Sequence, residues 1–267
     1  MTKKIELLLL LLCLTHYLHA TTYQVGPTRL YTAPSAVANL VADGDTVEID
    51  AATYLGDVAR WYANNLYLKG VGNGYARLDA NGNNAEGKAI WVIKGNNCII
   101  ENIEFLNCTV PDNNGAGIRQ EGKNVLIRHC YFHHNEMGIL AGDNTPSTIT
   151  IETSEFAANG YGDGYSHNVY INHVDTLIFR YNYSHDMVVG HTLKTRARHN
   201  YILYNRITEE NGNGSYTVDV PNGGETILLG NLIEQGANSE NSTIIEYGAE
   251  GLSNAIKDFV VVNNTIV

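Results

Sequence analysis

The chain contains few of the residues that would suggest a helical or a disulfide-stabilised protein. It has 5 Pro and 4 Cys among 267 residues. After residue 45, no stretch repeats its apolar side chains with the period of an amphipathic helix. No apolar run approaches the roughly 20 residues that a membrane-spanning helix needs. These absences exclude a helical bundle, a helical membrane anchor and a small disulfide scaffold.

Positive charge is also scarce, with 17 Lys and Arg against 28 Asp and Glu and a net charge of −11 at pH 7. An acidic chain is repelled by nucleic acid and by anionic membrane surfaces, so we expect neither as a partner. Cys98, Cys108 and Cys130 are too few for a disulfide framework in a chain of this length. We expect these cysteines to be small buried apolar residues.

The first 20 residues have the layout of a secretory signal peptide. Lys3 and Lys4 precede an apolar run from Leu7 to Leu12, and the small residue Ala20 closes the segment. We therefore expect cleavage near Ala20, a secreted or periplasmic protein, and a single mature domain over residues 21–267.

Glycine is plentiful, with 26 residues, and together with Asn it suits short strands joined by tight turns. Seven segments align at intervals of 23 to 33 residues. Their central residues are Ile103, Cys130, Ser154, Asn182, Asn205, Asn231 and Asn264. An apolar residue stands three positions before each centre, and another stands two positions after it except at Ser184.

Such a repeat predicts an all-β fold, a single-stranded right-handed parallel β-helix (solenoid), because each coil buries its inward side chains only against neighbouring coils. The Asn column is expected to be structural, with amides bonded from coil to coil. We expect Pro34 to Ala42 to form an amphipathic N-terminal capping helix. No comparable cap precedes Val267, so we expect the C-terminal end to be truncated and further coils to be missing.

The segments GDTVEIDAATY (44–54), LKGVGNG (68–74) and NVLIRHCYF (124–132) resemble the pectate-lyase-like group of right-handed β-helix proteins. The resemblance extends over nearly all of residues 21–267 and implies the fold more firmly than any one reaction. That group includes lyases acting on uronate polymers, mannuronan epimerases and some hydrolases, and its substrate groove follows the first strand of each coil. The local motifs of pectin hydrolases, pectate lyases and alginate epimerases are absent from this chain.

Alternation along the first strands predicts which side chains face the groove. The outward column reads Arg119, Leu140, Tyr170, Lys194, Asp219 and Glu246. Because coils lie about 4.8 Å apart, the last four would form a ladder on the order of 15 Å long. Asn172 and Arg196 lie two positions further along their strands, and the flanking turns are expected to contain His167, His173, His185 and His191.

A lyase acting on a uronic acid must neutralise the sugar carboxylate, remove the C5 proton and protonate the leaving oxygen. Arg196 suits the carboxylate because its guanidinium binds in a bidentate manner. Lys194 is the candidate base, since the like charge of Arg196 favours its neutral form. Tyr170 or His191 would protonate the leaving oxygen, and His167 is a further catalytic candidate.

Other groups are candidates for binding. The expected substrate-binding residues are Arg119, Asn172, His173 and Tyr247. Asp219 and Glu246 are candidate ligands for Ca²⁺, which prefers carboxylate oxygens, although two acids alone form a poor cage.

Each assignment has an alternative. Lys194 and Asp219 would equally form a surface salt bridge worth about 0–1 kcal/mol, and Asp219 with Glu246 would suit a glycoside hydrolase. A uronate C5-epimerase and a non-catalytic polysaccharide-binding or structural module remain open. The cluster of basic and aromatic side chains favours an enzyme, so the first hypothesis is a secreted lyase whose partner is an acidic polysaccharide.

Overall fold

The computed structural model describes residues 20–267, so the predicted signal peptide lies outside the described residues apart from Ala20. About nine coils stack into a parallel β-solenoid, and a complete coil contributes one strand to each of three sheets. Within residues 20–267, no helix is long and apolar enough to cross a membrane. The predicted all-β parallel solenoid is confirmed.

The three sheets are numbered in the order of their strands within a coil, beginning from the strand Ala59–Trp61. Sheet I has eight strands: Ala59–Trp61, Ala89–Ile93, Ala116–Gln120, Met137–Ala141, His167–Ile171, His191–Thr195, Val218–Val220 and Ile245–Tyr247. Sheet II has ten strands: Thr22–Val25, Thr46–Asp50, Tyr67–Val71, Cys98–Glu101, Val125–Arg128, Thr148–Glu152, Thr176–Arg180, His199–Leu203, Glu225–Leu229 and Phe259–Val262. Sheet III has nine strands: Thr53–Leu55, Ala76–Asp79, Ile103–Leu106, Tyr131–His133, Glu155–Ala157, Tyr183–His185, Arg206–Thr208, Leu232–Glu234 and Thr265–Ile266.

The core consists of columns of side chains that repeat from coil to coil. Phe105, Phe132 and Phe156 are fully buried and stack with ring centroids 4.9 Å apart. Aromatic contacts of this kind add to the free energy gained by burying the rings. Cys98, Cys108 and Cys130 are free and buried, as expected.

The Asn column is also confirmed as a structural feature. The amide of Asn182 donates to Asn205 Oδ1 at 3.2 Å, Asn205 donates to Asn231 Oδ1 at 2.9 Å, and Asn231 donates to Asn264 Oδ1 at 2.8 Å. Each amide also donates to a backbone carbonyl, as Asn205 does to Phe179 at 2.9 Å. Buried amides that are satisfied in this way tie each turn to the next coil.

The predicted N-terminal capping helix is wrong. The segment from Pro34 to Ala42 contains only one turn of 3₁₀ helix, Pro34–Val37. Leu40, which lies on the apolar side of the predicted helix, is 50% exposed. A helix in a folded protein depends on burial of its apolar face, and here only Pro34 and Val37 of the turn are buried.

Candidate functional site

The strand register of sheet I aligns the residues of the predicted column from coil to coil. Arg119 pairs with Leu140, Leu140 with Tyr170, Tyr170 with Lys194, Lys194 with Asp219, and Asp219 with Glu246. Neighbouring strands of a sheet lie about 4.8 Å apart, so the last four side chains occupy four successive coils.

Lys194, Asp219 and His191 form the centre of the site. Lys194 Nζ lies 2.8 Å from Asp219 Oδ2, and His191 Nδ1 lies 2.7 Å from the same oxygen. Lys194 is 8% exposed and Asp219 is 1% exposed, so this is a buried ion pair rather than the surface salt bridge considered as an alternative. Burial alone would raise the pKa of Asp219, but hydrogen bonds involving His191, Glu246 and Lys194 outweigh it and hold that pKa well below its usual range.

Glu246 is the second carboxylic acid of the column and has the opposite character. Burial and a hydrogen bond with Asp219 raise the pKa of Glu246 to about 7, although the backbone N–H of Ala249 donates to its carboxyl group. Near neutral pH, the two acids therefore hold one proton between them, with Asp219 ionised and Glu246 able to donate.

Arg196 follows the strand His191–Thr195 and joins two parts of the site. Its Nε donates to Tyr170 Oη at 3.0 Å, and its Nη1 donates to Asn222 Oδ1. Burial alone would lower the pKa of Arg196, but hydrogen bonds to Glu250 and Tyr170 raise it. The guanidinium is thus a fixed positive charge whose direction is set by three neighbours.

Glu250 places a carboxylate directly on these cations. Its Oε1 accepts from Lys194 Nζ at 3.0 Å and from Arg196 Nη2 at 2.9 Å, while its Oε2 lies 2.7 Å from Arg196 Nη1. The hydrogen bond from Arg196, together with the contact with Lys194, outweighs the effect of burial and lowers the pKa of Glu250. The Glu250 side chain is 47% exposed, so a carboxylate can reach this position from solvent.

The prediction that His167 and His191 lie in turns is wrong, since each is the first residue of a strand in sheet I. Their positions pair in the register, and their rings stack 4.8 Å apart. The backbone N–H of His191 donates to His167 Nδ1 at 3.1 Å, which assigns the ring proton of His167 to Nε2. Burial and the nearby charges of His191 and Lys194 hold the pKa of His167 well below its usual value.

The remaining candidate histidines and the binding candidates are dispersed. His185 ends a strand of sheet III and therefore lies outside the groove. Arg119 stands two coils from Tyr170, with its Nε 3.8 Å from Glu121. Tyr247 donates its hydroxyl to Gly224 O at 2.9 Å and stacks on Phe259 at 4.6 Å.

Asn172 and His173 do lie beside the site, just after the strand His167–Ile171. Asn172 Oδ1 accepts from the backbone N–H of His173 at 2.9 Å. His173 and Arg196 both line a cleft of about 640 Å³. Of the four binding candidates, His173 is therefore the one that shares a cleft with Arg196.

The arrangement does not fit the calcium ion considered from the sequence. Asp219 Oδ2 already faces the Lys194 ammonium at 2.8 Å, and Glu246 holds a proton up to about neutral pH. Ca²⁺ takes six to eight oxygen ligands, which two such acids do not supply. Among residues 20–267, no three His, Cys, Asp or Glu side chains are grouped so that they could hold a metal ion.

A buried carboxyl group lies behind the strand that carries His191 and Lys194. Glu209 is 0% exposed and accepts hydrogen bonds from Thr192 Oγ1 and, at 3.1 Å, from the backbone N–H of Gly214. Burial raises the pKa of Glu209 to about 7. Because Thr192 lies between His191 and Lys194, this carboxyl group supports the site from inside the solenoid.

Sequence reasoning missed Glu250, Asn222 and Glu209. All three lie in the connections after strands, where alternation stops and no longer tells which way a side chain points. Asn222 had one signal. It follows Asp219 by three positions, and Arg196 follows Lys194, the register partner of Asp219, by two. Glu250 and Glu209 carried no comparable signal.

The chain was compared with known proteins at three levels. No protein-family model, no curated protein and no solved structure matches it. The functional argument therefore depends on the chemistry of the described residues.

Proposed function

We propose that this protein is a secreted enzyme that binds an acidic, uronate-containing polysaccharide on sheet I and cleaves it by β-elimination. We further propose that the solenoid is of the right-handed, pectate-lyase-like kind, since about 98% of parallel β-crossovers are right-handed. Residues 1–20 would act as the signal peptide that takes the chain across the membrane.

The observation that carries the proposal is the position of the Glu250 carboxylate. It makes three contacts of 2.7 to 3.0 Å with Lys194 and Arg196. A carboxylate is the group that distinguishes a uronic acid from a neutral sugar, and a guanidinium matches its two oxygens. Glu250 thus stands in for the carboxylate of the substrate.

The neighbouring groups suit the proton transfers of an elimination. His191 Nδ1 lies 2.7 Å from Asp219. We assign the ring proton of His191 to this nitrogen, which leaves Nε2 to accept the C5 proton. Tyr170 would then protonate the glycosidic oxygen as the C4–O bond breaks and the C4–C5 double bond forms. The Arg196 Nε, 3.0 Å from Tyr170 Oη, would stabilise the negative charge left on that oxygen.

Lys194 has a different role here from the base suggested by the sequence. Its ammonium lies 2.8 Å from Asp219 and 3.0 Å from Glu250, so it acts as a cation. Lys194 and Arg196 would together stabilise the negative charge that builds up on the substrate carboxylate when the C5 proton leaves. His167 contacts the His191 and Tyr170 rings at 4.8 and 5.3 Å and would hold both in position.

The test is incubation of the secreted protein with pectate, alginate and glucuronan, with and without Ca²⁺, while the ultraviolet absorbance of unsaturated sugar ends is followed. We expect one polymer to give unsaturated ends, and His191→Ala and Arg196→Ala to reduce the rate at least about 100-fold. The matched control is Arg60→Ala, an exposed arginine at the far end of sheet I. No unsaturated product from any polymer would contradict β-elimination.

One observation favours glycoside hydrolysis as a second candidate. Asp219 and Glu246 have pKa values displaced in opposite directions, as a nucleophile and a general acid require. Asp219 is only 1% exposed, which obstructs attack on a sugar ring. Hydrolysis would release reducing ends without ultraviolet absorbance, so measuring both signals in one reaction separates the two functions.

A further inference from the structure

A cleft of about 640 Å³ adjoins the site, beside the turns that follow the sheet I strands Met137–Ala141, His167–Ile171 and His191–Thr195. Arg196 lines this cleft and also holds the Glu250 carboxylate, so the cleft and the cation pair are continuous. The volume falls within the roughly 300–1,000 Å³ of pockets that hold whole ligands and exceeds what a single carboxylate needs. The cleft therefore has room for a further part of a polymer whose charged group lies on Arg196.

One positive charge in the wall of the cleft is only weakly paired. Arg198 is 58% exposed on its side chain, and its Nη1 comes no closer than 4.0 Å to Asp175. At that distance the guanidinium makes no hydrogen bond to the acid. Its donors are available to an anion, in contrast to those of Arg196, which are held by three side chains.

The other polar groups of the cleft suit sugar hydroxyls. Asp143 and Asp175 supply acceptors, and His173 supplies a ring nitrogen. A sugar ring presents several hydroxyl donors beside its carboxylate. Arg198 would bind the carboxylate of an acidic sugar, and the two acids would accept from its hydroxyls.

The cleft is held in shape by contacts between its own walls. Asn254 Nδ2 donates to Ala197 O at 3.2 Å and to Gly223 O at 2.9 Å, which fixes the loop 248–258 against the ends of two coils. The backbone N–H of Arg198 donates to Val174 O at 3.1 Å, and Val174 is 2% exposed beneath it. A preformed cleft binds its ligand without the free-energy cost of ordering the loop and side chains that form its walls.

We propose that this cleft is a second subsite, in which Arg198 binds the carboxylate of the acidic sugar next to the one held by Arg196 and Lys194. The inference rests on the proposed function for the identity of the first sugar. The second subsite makes the protein specific for stretches of at least two consecutive acidic sugars. A polymer in which acidic and neutral sugars alternate would place a neutral ring against Arg198 and lose this contact.

The experiment measures binding of galacturonate and mannuronate monomers, dimers and trimers to the secreted protein by calorimetry, alongside Arg198→Ala and the control Arg60→Ala. We expect the wild-type protein and the control to gain affinity from monomer to dimer. Arg198→Ala should bind the monomer normally and lose about tenfold of the dimer affinity.

Each other outcome is decisive. If polymer is cleaved but Arg198→Ala binds dimers like the control, the second subsite is wrong and the lyase proposal stands. If no polymer is cleaved but the dimer gain depends on Arg198, the subsite stands and the reaction is wrong. If no uronate binds at all, both proposals fail.

Discussion

Asp219 and Glu246 are both carboxylic acids on adjacent coils, yet their environments give them different charges. Asp219 lies 2.8 Å from Lys194 and 2.7 Å from His191, and these contacts favour its ionised form, whereas Glu246 is buried against that negative charge and retains its proton. Both acids occupy the same position within their coils, so the difference between their pKa values comes from the side chains around each of them.

Glu209 supplies a prediction about pH and stability. Its pKa rises from 4.5 in an open chain to about 7 in the folded protein because of burial. The folded state therefore binds this proton more tightly, and stability is lost as the pH rises from about 4.5 through about 7. Glu209→Gln mimics the protonated acid and removes a penalty on the order of 3 kcal/mol above that window.

The measurement is the free energy of unfolding by denaturant of the wild-type and Glu209→Gln proteins at several pH values. The variant should match the wild type near pH 4 and exceed it increasingly towards pH 8. Comparing the two proteins at each pH cancels the titration of all other groups. A difference that does not change with pH would show that Glu209 keeps an ordinary pKa.

Among the elements, the loop 248–258 has two functions that oppose each other. It forms a wall of the cleft through Asn254, and it places Glu250 on the cations that the substrate carboxylate needs. A substrate must displace Glu250, so this side chain competes with it.

Glu250→Ala should therefore bind a uronate monomer several-fold more tightly than the wild-type protein, since the cations are then free. Nuclear magnetic resonance titration with galacturonate measures this. Glu240→Ala is the matched control, because Glu240 is an exposed glutamate in another loop. Weaker binding by Glu250→Ala alone would mean that Glu250 helps to position Arg196 rather than competing with the substrate.

The Asn column gives a prediction about the solenoid itself. Asn205 accepts from Asn182 and donates to Asn231 and to Phe179 O, all in the buried turn. Asn205→Ala leaves these partners unsatisfied and should reduce the free energy of unfolding by about 2–3 kcal/mol. The exposed Asn211 serves as control. An equal loss of unfolding free energy in Asn211→Ala would contradict a structural role for the Asn column.

At the scale of the whole molecule, the architecture was predictable because repetition multiplies a weak local signal. A single Asn between aliphatic residues means little, but the column through Asn205, Asn231 and Asn264 predicted the parallel register correctly. The N-terminal cap was not repeated, so Pro34 to Ala42 had only its own short pattern to indicate a helix. That pattern predicted more helix than the four residues Pro34–Val37 that form.

The site was predictable only where it lies on strands. Alternation within the aligned repeats predicted one ladder of Tyr170, Lys194, Asp219 and Glu246, and the strand register pairs them in that order. Glu250 could not be placed, because a loop of eleven residues after Tyr247 has no periodicity that fixes where its side chains point. The contact between Lys194 and Glu250 was therefore not predicted.

The most direct test of the central claim compares a free-acid uronate polymer with its methyl ester. If Arg196 and Lys194 hold the substrate carboxylate, esterification removes the charge they recognise. The wild-type protein should form unsaturated ends at least about tenfold faster on the free acid, and Arg196→Ala should lose most of that preference. Equal rates on both polymers, or a preference unchanged in Arg196→Ala, would contradict the account.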